Sequence, residues 1–173
     1  ETREANPLDS GKVPTFKQFW AAADKNRPNG LKRRFPDHLG AIADLCSKIA
    51  KGAKDLRVTL SCPPRHGKSE ALVTLALYCL LYKPGINIIF ITGTQGLAKE
   101  LEQRARWILV DAFGEEGVSQ LVPRMNTEKW ALSNSSVINW RGREGQITGL
   151  TGHLIICDDL ISRPEEVNSQ ALV

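Results

Sequence analysis

The sequence lacks long apolar segments, paired cysteine motifs, internal repeats and low-complexity tracts. The longest apolar stretch, Leu75 to Tyr82, is far shorter than the roughly 18 residues that a membrane span needs, so we expect no transmembrane helix. The four cysteines form no C-x-x-C pair and the histidines have no metal-ligand spacing, which argues against a zinc ribbon or a disulfide scaffold. Residues 1–11 are polar and mixed in charge, a pattern that predicts no signal peptide.

The composition, with 42% apolar and 24% charged residues, is typical of a globular protein, and 173 residues suit one compact domain. We therefore expect a flexible tail over residues 1–12 and a single domain over residues 13–173. Lysine and arginine number 23 against 19 acidic residues, which gives a net charge of +4. This balance permits an anionic partner but does not demonstrate one.

A basic stretch without any acidic residue lies between positions 25 and 34. Two interpretations stay open: contact with the phosphate backbone of a nucleic acid, or a solvated surface loop. Its basic residues are Lys25, Arg27, Lys32, Arg33 and Arg34.

Hydrophobic periodicity predicts two leading helices and then alternating strands and helices. This order indicates an α/β fold with a mainly parallel central sheet flanked by helices. The predicted elements are a helix with Thr15 as N-cap, a helix over 37–52, strand 56–62, helix 69–83, strand 86–92, a helix from about 97 to 112, a loop over 114–128, a hairpin over 129–140, a loop over 141–152 and strand 154–157.

The segment C-P-P-R-H-G-K-S, residues 62–69, lies between a predicted strand and a predicted helix, as a phosphate-binding Walker A loop requires. Gly67 allows close approach of a phosphate, Lys68 would reach the β- and γ-phosphates of ATP, and Ser69 would ligate Mg²⁺. One departure is Cys62, where the usual pattern has glycine. The candidate nucleotide-binding residues are Pro63, Pro64, Arg65, His66, Gly67, Lys68, Ser69 and Glu70.

The segment L-I-I-C-D-D, residues 154–159, is an apolar strand that ends in two carboxylates, the form of a Walker B motif. Asp158 is the candidate Mg²⁺ ligand. Asp159 is the candidate general base, and Glu165 or Glu166 is an alternative base because aspartate is one methylene shorter than the usual glutamate.

Phosphoryl transfer usually needs a cation near the γ-phosphate in the transition state. Arg65 could serve from within the loop, whereas Arg141 and Arg143 could act on a neighbouring subunit or be solvated surface arginines. Phe35 and His38 are candidates to flank the nucleotide base.

Taken together, four stretches resemble the ATPase domain of the large terminase subunit, the DNA-packaging motor of tailed phages. The resemblance covers residues 13–166. The stretches are F-K-Q-F-W (16–20) with R-F-P-D-H-L (34–39), C-P-P-R-H-G-K-S-E (62–70), I-I-F-I-T-G-T-Q-G-L-A-K-E-L (88–101) and G-Q-I-T-G-L-T-G-H-L-I-I-C-D-D-L-I (145–161).

The resemblance implies a RecA-like P-loop NTPase core and Mg²⁺-dependent ATP hydrolysis that drives double-stranded DNA into a procapsid. It implies a portal protein and a small terminase subunit as partners, a homo-oligomeric ring when assembled, and the host cell cytoplasm as location. By resemblance, Lys68 and Ser69 match the family's phosphate loop, Asp158 its Walker B acid and Arg65 its loop arginine.

Two departures from the family pattern stand out. The arginine that often precedes the Walker B strand is replaced by residues 150–153, which leaves the arginine finger unassigned, with Arg143 as a substitute. The coupling motif and the nuclease domain of the family are missing before Val173, so we expect a truncated ATPase domain that binds nucleotide and hydrolyses it slowly.

Two other functions compete with the packaging motor. One is a helicase-like nucleic-acid translocase, which would separate the strands of a tailed duplex. The other is a non-hydrolysing nucleotide-binding module, in which Asp159→Ala would leave turnover unchanged.

Overall fold

The computed structural model describes residues 13–23 and 35–161. The predicted tail 1–12, the basic stretch 25–34, Glu165 and Glu166 lie outside the described residues. The described elements, in chain order, are α1 (Phe16–Ala22), a 3-10 turn (Asp37–Leu39), α2 (Gly40–Ala50), α3 (Lys68–Tyr82), β1 (Asn87–Thr92), α4 (Gln95–Leu121), β2 (Arg124–Met125), β3 (Lys129–Ala131), β4 (Val137–Gly142) and β5 (Leu154–Asp158).

The fold is α/β, as predicted, with helices packed against a five-stranded sheet in the order β2-β3-β4-β1-β5. The sheet is mixed rather than mainly parallel. β1 pairs in parallel with β4 and β5, whereas β2–β3 and β3–β4 are antiparallel. The short turn between β3 and β4 explains this, because a few residues can join antiparallel strands but cannot cross over between parallel ones.

The carboxyl ends of the three parallel strands meet at one edge of the sheet. Thr92 of β1 is in register with Gly142 on one side and with Asp158 on the other. Because loops that follow parallel strands project from the same edge, this register places the loops after β1, β4 and β5 together.

The prediction of a strand over 56–62 is wrong for the structure. The segment pairs with no strand among residues 35–161, and Leu56 and Val58 are 44% and 61% exposed. Together with Ile155 and Cys157 of β5 they line a cleft of about 970 Å³. Alternating apolar residues favour an extended backbone, but only a hydrogen-bonded neighbour makes a strand.

The helices bury the side chains that periodicity indicated. Thr15 caps α1 through a capping box with Gln18, as predicted for the N-cap, and Phe16, Phe19 and Trp20 are buried. Helix α3 is apolar on most sides because it packs between α2, α4 and the sheet. This packing fixes the start of α3, which directly follows the predicted phosphate loop.

Helix α4 is longer than predicted and includes much of the expected loop 114–128. Gly114 has φ 74° and ψ 165° and kinks the helix, and the chain then continues helically to Leu121 with Val118 buried. Glycine adopts this left-handed φ without strain, so it interrupts the helix without ending it. Within the described ranges, no helix is long and apolar enough to cross a membrane.

Candidate functional site

The predicted phosphate loop, residues 62–69, enters α3 through two residues in the left-handed region. Arg65 has φ 63° and Gly67 has φ 79°. Gly67 is the N-cap of α3 and has no side chain to accept from the first amides of the helix. Free amides and the positive end of the helix dipole make this terminus suited to an anion such as a phosphate.

Two imidazoles hold the loop in this shape. His66 Nδ1 donates to the carbonyl of Pro64 at 2.9 Å, and His38 Nε2 donates to the carbonyl of His66 at 2.9 Å. The two rings meet edge to face, with centroids 5.7 Å apart. His38 therefore contacts the loop backbone from outside the motif. His66, which sequence reasoning placed against phosphate, uses one nitrogen for the loop itself.

Asp158 is the last residue of β5 and Asp159 follows it, and both carboxylates face the same ammonium group. Lys68 Nζ lies 3.1 Å from Asp158 Oδ1 and 2.5 Å from Asp159 Oδ1. The Asp158 side chain is 1% exposed, whereas that of Asp159 is 59% exposed. The hydrogen bond to Asp159, followed by the hydrogen bond and charge of Asp158, raises the pKa of Lys68 although partial burial opposes the shift.

The carboxylate of Asp158 fits the role of a magnesium ligand. Both of its oxygens are buried, and the Lys68 ammonium forms an ion pair with one of them at 3.1 Å. The described residues hold no group of three or more His, Cys, Asp or Glu side chains arranged for a metal ion. A bound Mg²⁺ would therefore be held by Asp158, the Ser69 hydroxyl and the phosphates themselves.

Glu70 is directed towards a neighbouring helix rather than a phosphate. Its carboxylate is mostly buried and accepts a hydrogen bond from Arg104 Nη1 of α4 at 3.0 Å. Sequence reasoning included Glu70 in the phosphate loop but did not identify Arg104. No spacing rule could have done so, because α3 and α4 meet only in the folded chain.

The candidate arginines occupy three different positions. Arg65 is exposed on the phosphate loop. Arg143 donates to the carbonyl of Leu160, just after Asp159, at 3.1 Å, so it lies near the Walker B acids of its own chain. Arg141 forms an ion pair with Glu128 at 3.2 Å. Arg65 and Arg143 thus lie on the edge of the sheet where Lys68 meets the two aspartates. Arg141, by contrast, takes part in a structural ion pair.

Phe35 does not flank a nucleotide base. It is buried and packs edge to face on Phe16 and Trp20, with centroids 5.7 and 5.5 Å away, so it belongs to the core.

His153 has a structural role. Its Nδ1 accepts a hydrogen bond from the amide of Asn87, and its own amide donates to the carbonyl of Asn87.

In comparisons with known proteins, no family model matches the chain and no curated protein is significantly similar to it. Interpretation of the site therefore depends on its residues and their geometry.

Proposed function

We propose that this chain is the ATPase domain of a DNA-packaging motor of the large terminase type. The observation that carries the proposal is the meeting of Lys68 with Asp158 and Asp159. A lysine at the start of a helix and two acids at the end of a distant strand converge on one point, which is the combination that phosphoryl transfer needs.

In the proposed reaction, the amides at the start of α3 and the Lys68 ammonium bind the phosphates of ATP. Lys68 must first leave its present partners, so nucleotide binding exchanges one set of anions for another. Mg²⁺, when bound, neutralises phosphate charge. Asp158 and Ser69 hold it, and the exposed carboxylate of Asp159 orients and deprotonates the attacking water.

Arg65 and Arg143 are the candidates to stabilise charge in the transition state. Arg65 belongs to the loop that would surround the phosphates, and Arg143 is anchored beside the Walker B acids. Both positions favour action within one chain, whereas the sequence left Arg143 either to a neighbouring subunit or to the solvated surface.

We also propose that the core is RecA-like. Support comes from the order of phosphate loop, helix α3, strand β1 and acid-tipped strand β5, and from the parallel pairing of β1 with β5.

The DNA-related part of the proposal rests on the resemblance and on the net charge of +4. Double-stranded DNA is the proposed cargo, a portal protein and a small terminase subunit are the proposed partners, and the host cytoplasm is the proposed location. Measurement of duplex translocation against strand separation distinguishes a packaging motor from a helicase-like enzyme.

Calorimetric titration with Mg²⁺ and ATP tests the nucleotide site. We expect binding by the wild type and its loss in Lys68→Ala, because the ammonium is the main cationic phosphate contact. Lys99→Ala is the matched control, since it removes an exposed lysine from α4. Absence of binding by the wild type, or equal binding by Lys68→Ala, would contradict the proposal.

A further inference from the structure

The carboxylate of Glu70 lies at the helix terminus that would receive the phosphates. Glu70 follows Ser69 directly, belongs to the first turn of α3 and is 9% exposed. The dipole and free amides of a helix N-terminus stabilise negative charge. A carboxylate in this turn therefore competes with a phosphate for the same field, and like charges at close range oppose each other in a poorly solvated site.

Arg104 offsets that charge from the neighbouring helix. Its guanidinium Nη1 lies 3.0 Å from Glu70 Oε2, and its side chain, 49% exposed, reaches the carboxylate from the surface of α4. We infer that Arg104 is a positioning residue of the nucleotide site: it holds the Glu70 carboxylate against α4 and neutralises it, which leaves the start of α3 to phosphate. The inference rests on the proposed function, since it concerns affinity for a nucleotide.

This role predicts effects of opposite sign for the two partners. Arg104→Gln removes a positive charge from beside the start of α3, and Mg²⁺-ATP affinity should fall about tenfold. Glu70→Gln leaves an uncompensated guanidinium there, and affinity should rise severalfold. The double variant Glu70→Gln/Arg104→Gln should lie within about twofold of the wild type, because the two charge effects cancel.

Two further variants separate charge from packing. Arg104→Lys keeps the positive charge and should retain most of the affinity. Arg106→Gln removes another arginine from the same helix, which pairs with Glu102 at the same 3.0 Å distance. Glu102 also accepts a hydrogen bond from Trp130, so this ion pair involves neither the phosphate loop nor the first turn of α3. The nucleotide affinity of Arg106→Gln should equal that of the wild type.

The test is titration calorimetry of all variants with Mg²⁺-ATP at low and at high ionic strength, with circular dichroism to confirm folding. The affinity changes should shrink as salt rises, which a packing role would not produce. A double variant as weak as Arg104→Gln, or an Arg106→Gln variant that loses as much affinity, would overturn the inference alone. A wild type that binds no nucleotide would overturn the proposed function and this inference with it.

Discussion

The ammonium of Lys68 lies 3.1 Å from a carboxylate oxygen of Asp158, and this contact joins the phosphate loop to the end of β5. The Asp158 side chain is 1% exposed, and the Lys68 ammonium offsets the cost of burying its carboxylate. Lys68 therefore stabilises the fold when no nucleotide is bound, and in the proposed reaction it would bind phosphate instead. Substitution of the lysine consequently affects more than nucleotide affinity.

We predict that Lys68→Ala lowers the free energy of unfolding by about 1–3 kcal/mol, because it leaves the buried Asp158 carboxylate without its cation. Urea denaturation without nucleotide measures the change. The double variant Lys68→Ala/Asp158→Asn should recover part of the loss, since a neutral amide costs less to bury than an unpaired carboxylate. Equal stability of Lys68→Ala and the wild type would show that the ion pair contributes nothing.

A second prediction concerns the assignment of the base. Asp159→Asn should lower the ATP turnover number by about 10²–10⁴-fold while the Michaelis constant changes little, because the exposed carboxylate is assigned to the water rather than to the phosphates. Steady-state phosphate release measures both constants. Glu165→Gln is the comparison: a larger loss of turnover there than in Asp159→Asn would transfer the role to Glu165.

Sequence reasoning predicted the elements that local pattern controls. Strand β1, helix α3, the turn after it and the acid-tipped strand β5 follow from apolar runs bounded by glycine, proline or aspartate. The segment 56–62 was predicted wrongly, because alternation of apolar residues does not identify a pairing partner. The length of α4 was missed because Gly114 was interpreted as an end rather than a kink.

The residues of the site likewise divide into those that local sequence patterns predict and those that depend on tertiary contacts. Motif and context predicted Lys68, Ser69 and Asp158 as site residues, and the structure brings Lys68 and Asp158 together. The contacts of Glu70 with Arg104 and of His38 with His66 join positions 34 and 28 residues apart, and only the tertiary fold brings them together. These two contacts could therefore be identified only from the folded structure.

A third prediction tests the end of β4, where Gly142 lies against the start of α4. A Cβ at Gly142 would lie 2.4 Å from the amide nitrogen of Gln95 and 2.7 Å from the carbonyl carbon of Thr94, both backbone atoms that cannot rotate away. Gly142→Ala should therefore destabilise the protein by about 1–3 kcal/mol or more.

Gly40→Ala is the control, because nothing lies within 4 Å of its Cβ position and it begins α2. That variant should be neutral or more stable by up to about 1 kcal/mol. Thermal and urea unfolding of both variants measure the difference, and a Gly142→Ala protein as stable as Gly40→Ala would contradict the close approach.

The fourth prediction is a loss of stability at alkaline pH that originates in buried thiols. Burial raises the pKa of Cys79 from 9.0 to about 12 and also raises that of Cys46, so both thiols stay protonated in the folded protein. In the unfolded chain they ionise near 9, and from there upwards the unfolded state binds fewer protons than the folded state. The stability contribution is therefore complete below pH 9 and is lost as pH rises towards 12, by up to about 1.4 kcal/mol per pH unit for each thiol.

Urea unfolding at intervals between pH 8.5 and 9.5 measures this slope largely below the range in which tyrosines of the unfolded chain, with a pKa near 10, ionise. Cys79→Ala should flatten it, because one of the two thiols no longer titrates. Val73→Ala removes a buried side chain from the same helix without a titratable group, so it should lower stability and keep the wild-type slope. If Cys79→Ala and Val73→Ala show the same pH dependence, the alkaline loss of stability has another origin and the thiols do not control it.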